Sequence, residues 1–160
     1  MQVRRARAEE GDILCALYRE VKGKLNAGST WTEYYPADAD ILADIAASAL
    51  FCLEEDGKIL GACATEADEV KDLVPCDRTA ASVEISRVCI RPDRQGEHLA
   101  GKLVAGTLEC LRREGYAYVR LLVSPGNLPA YRTYLHCGFR VIGEADKYDV
   151  HWLCCERALG

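Results

Sequence analysis

No apolar run in the sequence approaches the roughly 20 residues that span a bilayer, and the charged start MQVRRARAEE leads into no signal-peptide core. Both absences point to the cytoplasm and away from a membrane partner. There is no C-x-x-C pair either: nine cysteines (15, 52, 63, 76, 89, 110, 137, 154, 155) form an odd count scattered through apolar segments, fitting neither a disulfide framework nor a zinc site. Adjacent strand residues such as Cys154 and Cys155 point to opposite faces, poor geometry for holding one metal. Reduced, mostly buried thiols are expected, and no metal; a metal-binding regulatory protein is the weakest reading. A basic surplus is also missing. The net charge of −5 excludes general binding to nucleic acid or to an anionic membrane. Residues 1–80 carry 9 Lys and Arg against 16 Asp and Glu, whereas residues 81–160 carry 11 against 9, so the halves are suited to different ligands.

With 160 residues, 49% hydrophobic, the chain can bury one core and is too short for two, so a single domain over 1–160 is expected. No repeat or linker interrupts it. Gln2–Ala8 reads as a strand, and Ile13, Leu14, Leu17, Tyr18 and Val21 fall at helical spacing. After a loop or broken helix over Lys22–Tyr35, Asp38 is a candidate N-cap for a helix in which Ile41, Leu42 and Ile45 share a face. Leu50–Leu53 and Lys58–Thr65 read as strands joined through Asp56-Gly57, a hairpin signal. Polar Glu66–Ala80 is a long loop of the kind that borders a site. Val83–Ile90 is a strand, Leu99 to Leu111 a helix stopped by Gly115, and Tyr118–Val123 a continuous apolar strand. Pro129–Cys137 is a short helix, and Phe139–Ile142 and Val150–Cys155 are strands. The fold class is α/β (mixed α+β), about seven mostly antiparallel strands flanked by about four helices. The last strands, Val141–Ile142 and Trp152–Cys155, could pair two copies into a homodimer.

The junction between Val83–Ile90 and the helix at Leu99 suits an anion: a helix start leaves N–H groups unpaired, and its dipole adds about half a positive charge. No G-x-G-x-x-G or G-x-x-x-x-G-K-[ST] marks a dinucleotide or nucleoside triphosphate site. The stretch Val88-Cys89-Ile90-Arg91-Pro92-Asp93-Arg94-Gln95-Gly96-Glu97-His98-Leu99-Ala100 resembles the acyl-CoA-binding segment of the GNAT acetyltransferase superfamily, Q/R-x-x-G-x-G/A after a strand end and a proline. Gln95 takes its first place and Ala100 its last, but His98 stands where the middle glycine belongs. A second run, from Asn127 through Ala130 and Tyr134 to Gly138-Phe139, is similar to that family's N-x-x-A-x-x-x-Y-x-x-x-G-F.

The resemblance implies acetyl-CoA as cosubstrate and an amine acceptor. The Val88, Cys89 and Ile90 backbone would pair with the pantetheine arm. The N–H groups of Gly96, Glu97, His98, Leu99 and Ala100, with Gln95 beside them, would hold the pyrophosphate, and Asn127 would lie near the cofactor. Tyr134 matches the position that protonates the leaving sulfur; its bland reading is a core aromatic. Glu84 matches a general-base carboxylate, the alternatives being a solvated strand residue or an ordered water, with Ser86 and Arg87 as lesser contributors. Cys89 is read as a buried structural thiol rather than a nucleophile, since neither His98 nor His136 has a spacing that activates it. Trp31, Glu33, Tyr34 and Tyr35 match the region lining the acceptor pocket, where aromatic walls and Glu33 suit a cationic amine; a hydrophobic plug is the other reading. The chain is thus expected to be an N-acetyltransferase acting by direct attack in a ternary complex, or, failing transfer, a non-catalytic acyl-CoA sensor. His98 keeps the second open, although a helical residue whose side chain points away still offers its N–H.

Overall fold

A computed structural model describes residues 1–160. The elements are β1 (Gln2–Arg5), α1 (Gly11–Lys22), α2 (Asp38–Ala46), β2 (Leu50–Glu55), β3 (Lys58–Glu66), β4 (Ser82–Ile90), α3 (Leu99–Arg113), β5 (Tyr118–Val123), α4 (Leu128–His136), β6 (Arg140–Lys147) and β7 (Val150–Ala158). The strands follow the order β1-β2-β3-β4-β5-β7-β6. β4 and β5 run parallel, whereas β1–β2, β2–β3, β5–β7 and β6–β7 are antiparallel. The mixed, mostly antiparallel architecture is the one expected.

The chain divides into two compact units, one of Met1–Leu25, Trp31–Thr65 and Arg87–Thr107, the other of Asn26–Thr30, Glu66–Ser86 and Leu108–Gly160. In the first, α1 buries Leu14, Leu17, Tyr18 and Val21, but Ile13 is 60% exposed, lying at the margin of the apolar stripe. The face expected of α2 is also narrower: Ile41 is buried and Ile45 half-buried, while Leu42 is 50% exposed. Nor is Asp38 the N-cap. Ala37 is, and Asp40 reaches back to accept its N–H at 2.8 Å, leaving Asp38 to pair with Arg19. Between β2 and β3, Asp56 and Gly57 both have positive φ (51° and 77°), the turn that matches strand twist.

In the second unit, the strand read as continuously apolar carries Arg120, which is fully buried. Its guanidinium donates to Asp68 Oδ2 at 2.8 Å, Glu156 Oε2 at 2.9 Å and the Asp77 carbonyl at 2.8 Å, so the charge is satisfied on three sides. Glu66–Ala80 is correspondingly more than a polar loop. Asp68 accepts from Val70 N–H and the Ser82 hydroxyl, and Val70 sits fully buried against Val74 and Cys154. The last two strands exceed their expected bounds. They close through Tyr148-Asp149, both at positive φ (55° and 58°), a turn without the glycine or asparagine that would have signalled it.

Candidate active site

The parallel pairing of β4 with β5 covers only Ser82↔Tyr118, Val83↔Val119 and Glu84↔Arg120. Glu84 is the last residue of that register. Its side chain is 4% exposed, and its Oε1 accepts the Glu69 backbone N–H at 3.0 Å. Burial, reinforced by the Glu66, Glu69 and Asp68 carboxylates and only partly offset by that N–H, pushes its carboxyl up to about 8. The solvated-strand reading of Glu84 therefore fails. Two residues on, Ser86 Oγ is buried without a hydrogen-bond partner.

In the same unit, α4 starts at Leu128 rather than Pro129, with Asn127 as its N-cap and Asn127 Oδ1 3.5 Å from Ala130 N. Tyr134 lies on this helix, 8% exposed, its ring edge-on to Phe139 at 5.9 Å. The structure thus gives it a packing contact within the motif that singled it out.

In the first unit, β4 continues to Ile90, and a 3₁₀ turn over Pro92–Arg94 leads toward α3. Gln95 Nε2 reaches back to the Ile90 carbonyl at 3.4 Å, while Arg94 pairs with the Glu97 carboxylate at 2.7 Å and offsets its charge. Gly96 has φ 88° with open space where a Cβ would stand, and His98 is left-handed at φ 58°. Two left-handed residues thus stand ahead of a fifteen-residue helix, at the end where a helix leaves backbone N–H groups unpaired and favours an anion. They also explain the family's glycine, because the middle position adopts a conformation that costs other residues about 1–2 kcal/mol. His98→Val, with a branched Cβ, is expected to lower stability by roughly 1 kcal/mol whereas His98→Gly does not; thermal melts of the two should move apart, and equal melts would dismiss the strain.

The turn's counterpart in the strand is Arg87, at φ 51° inside β4. Its carbonyl accepts the Tyr18 hydroxyl at 2.6 Å, and its guanidinium holds Asp44 through two bonds of 2.8 and 3.0 Å and the Tyr35 hydroxyl at 3.0 Å. No glycine or asparagine marks this distortion in the sequence. Among the residues expected at the acceptor pocket, Tyr35 is therefore tied to β4. Trp31 packs on buried Tyr18 at 5.8 Å and joins the core cluster around it. Glu33 and Tyr34, the latter 81% exposed, line a shallow cavity of about 490 Å³ with Lys22 and Asp38. The four residues are not gathered into one wall. Cys89 is 5% exposed, and burial pushes its thiol up to about 12, which leaves no thiolate for nucleophilic attack. No group of three or more His, Cys, Asp or Glu is placed to hold a metal, and all nine cysteines are free.

The seven-stranded mixed sheet and its four helices define the class as a mixed α/β fold. The chain belongs to the acetyltransferase (GNAT) family, whose model matches residues 14–139. It is an acyltransferase by family, and acetyl-CoA is that family's cosubstrate. The mycothiol acetyltransferase of Brachybacterium faecium is 43% identical over 79 residues, 49% of this chain but only 23% of that protein. This match spans less than a quarter of the relative's length. A GNAT-family acetyltransferase of Streptococcus agalactiae has the same fold, with a TM-score of 0.82 at 20% identity over 98% of this chain and 94% of that one. So does yncA of Salmonella typhimurium, solved with acetyl-CoA, with a TM-score of 0.76 at 20% identity over 100% of this chain and 94% of that one. No helix is long and apolar enough to cross a membrane.

Proposed function

We propose that residues 1–160 act as one domain that moves an acetyl group from acetyl-CoA to a primary amine by direct attack in a ternary complex. The observation that carries this reading is Glu84, buried and raised to about 8 on a strand that leads into the anion-binding turn. When bound, acetyl-CoA supplies an activated thioester carbonyl. The N–H groups of Gly96, Glu97, His98, Leu99 and Ala100, beside Gln95, hold its pyrophosphate, the Val88–Ile90 backbone its pantetheine arm, and Asn127 lies near it. An alkylammonium acceptor has a pKa near 10.4 and must lose its proton to attack. A carboxylate near 8 is better matched to that task than an ordinary one near 4.3, so Glu84 is the base. Tyr134 Oη holds the proton that the departing thiol takes up. Of the four residues of the acceptor segment, Glu33 and Tyr34 meet the acceptor, while Trp31, packed on Tyr18, and Tyr35, held by Arg87, fix the segment that carries them; its acidic and aromatic character supports a cationic amine.

The nine free cysteines support a cytoplasmic setting. Exposed Val141 on β6, last in the strand order, supports pairing of two copies. The test is a thermal melt with CoA beside a free-thiol release assay across primary amines. Acetyl-CoA at a hundred times its Kd should add about 2.7 kcal/mol of stability, and at least one amine should release CoA. Stabilisation with no release from any amine would make the chain a sensor instead.

A further inference from the structure

Glu84 is held by a segment that is itself held at two points. Asp68, fully buried in its side chain, is pinned by Arg120 at 2.8 Å and by Ser82 at 2.8 Å. The next residue, Glu69, donates its backbone N–H to Glu84, and its carboxylate is held by Lys147, whose Nζ meets Oε2 at 2.8 Å, and by the Tyr148 hydroxyl, which donates at 2.8 Å. Lys147 and Tyr148 stand at the β6–β7 turn, with Tyr148 left-handed. All of these residues lie in one compact unit.

We propose that Glu69, clasped by Lys147 and Tyr148, is a positioning residue that sets the proton affinity of Glu84, so that the tip of the β6–β7 hairpin tunes the base. This rests on the reading of Glu84 as the base. Two opposed influences of Glu69 meet there: its N–H favours the Glu84 carboxylate, and its own charge disfavours it. The other groups facing Glu84 are Glu66 and Asp68, both acidic, the neutral Cys154 thiol on β7, and Arg120, its register partner on β5, whose charge is taken up by Asp68 and Glu156. Lys147 neutralises the Glu69 charge and immobilises the segment that presents the N–H. Removing it must therefore raise the Glu84 pKa on both counts. Glu69→Gln removes the charge, while its amide oxygen still accepts from Lys147 and Tyr148 and keeps the backbone donor in place, and so must lower it.

Carboxyl ¹³C NMR of the free, full-length protein reads this without any acceptor, the Glu84 resonance being identified by its loss in Glu84→Gln. Lys147→Met should move the Glu84 titration to higher pH and Glu69→Gln to lower pH, each by roughly half a pH unit. Lys147→Arg should restore the native value. Because Lys147 and Glu69 are each about one-third exposed, both variants are expected to fold, and far-ultraviolet circular dichroism checks it. Titrations that stay within about 0.2 pH of native, or that move in the same direction, overturn the proposal. Its failure is separable from that of the base: unchanged turnover in Glu84→Gln removes the base, whereas a slow Glu84→Gln beside unmoved titrations removes only the hairpin's role.

Discussion

Arg120→Met is expected to cost about 3–5 kcal/mol of stability, read as a fall in the urea midpoint. The arginine and Asp68 have fully buried side chains, and Glu156 keeps 6% of its side-chain surface exposed. Methionine fills most of the volume and removes the charge, leaving two carboxylates desolvated with no buried cation between them; Arg140 reaches only Glu156, from the surface, at 3.3 Å. That uncompensated charge, not lost attraction, is the source of the cost. Adding Asp68→Asn and Glu156→Gln should therefore recover part of it. The contrast is Arg112, which pairs with Glu109 at 2.9 Å with 48% of its side chain exposed; Arg112→Met should leave the urea midpoint nearly unmoved, because solvent screens the pair. A loss below 1 kcal/mol for Arg120→Met would mean that water reaches the network.

Much of this architecture was legible because local signals and tertiary demands agree. The Asp56-Gly57 turn, the α1 stripe from Leu14 to Val21 and the stop at Gly115 each record a backbone or burial requirement in residue type. The junction before α3 was legible for the same reason, down to the odd residue: His98 occupies the left-handed position that a glycine would fill without cost. What escaped has a common cause. Arg120 in a run of valines and leucines, Arg87 at positive φ in mid-strand and the Tyr148-Asp149 turn all have conformations or burial set by partners distant in sequence. Tyr18 and Asp44 fix Arg87; Asp68 and Glu156 fix Arg120. No period or dipeptide signal encodes such partners. Glu84 lies between these cases: the motif placed it on the strand, but its burial and the Glu69 N–H that holds it come from a segment fifteen residues away.

Glu84→Gln is expected to lower kcat/KM by about 10²–10⁴, the range for loss of a general base. With Glu84 as the proposed base, the rate of the native protein should rise with pH through about 8, because a carboxyl can take up a proton only after losing its own. That limb should disappear in Glu84→Gln. Stability supplies the control, with its sign fixed by the same shift. A buried carboxyl whose pKa is raised above its unfolded value near 4.3 binds its proton more tightly when folded. Its contribution to stability is present below the unfolded pKa and is lost as pH rises to about 8, where the burial of the ionised form opposes folding. The neutral glutamine escapes that loss, so Glu84→Gln should be at least as stable as the native protein at pH 8 while turning over far more slowly. Slow turnover with intact folding assigns the loss to proton transfer; slow turnover with an earlier melt assigns it to disrupted packing. Tyr134→Phe complements this from the leaving-group side, with turnover at least about tenfold lower and acetyl-CoA affinity within a few-fold. The phenyl ring preserves the edge-on contact with Phe139. A variant that keeps this contact and loses rate separates the hydroxyl's proton from the ring's packing, whereas unchanged thiol release would leave Tyr134 as core alone.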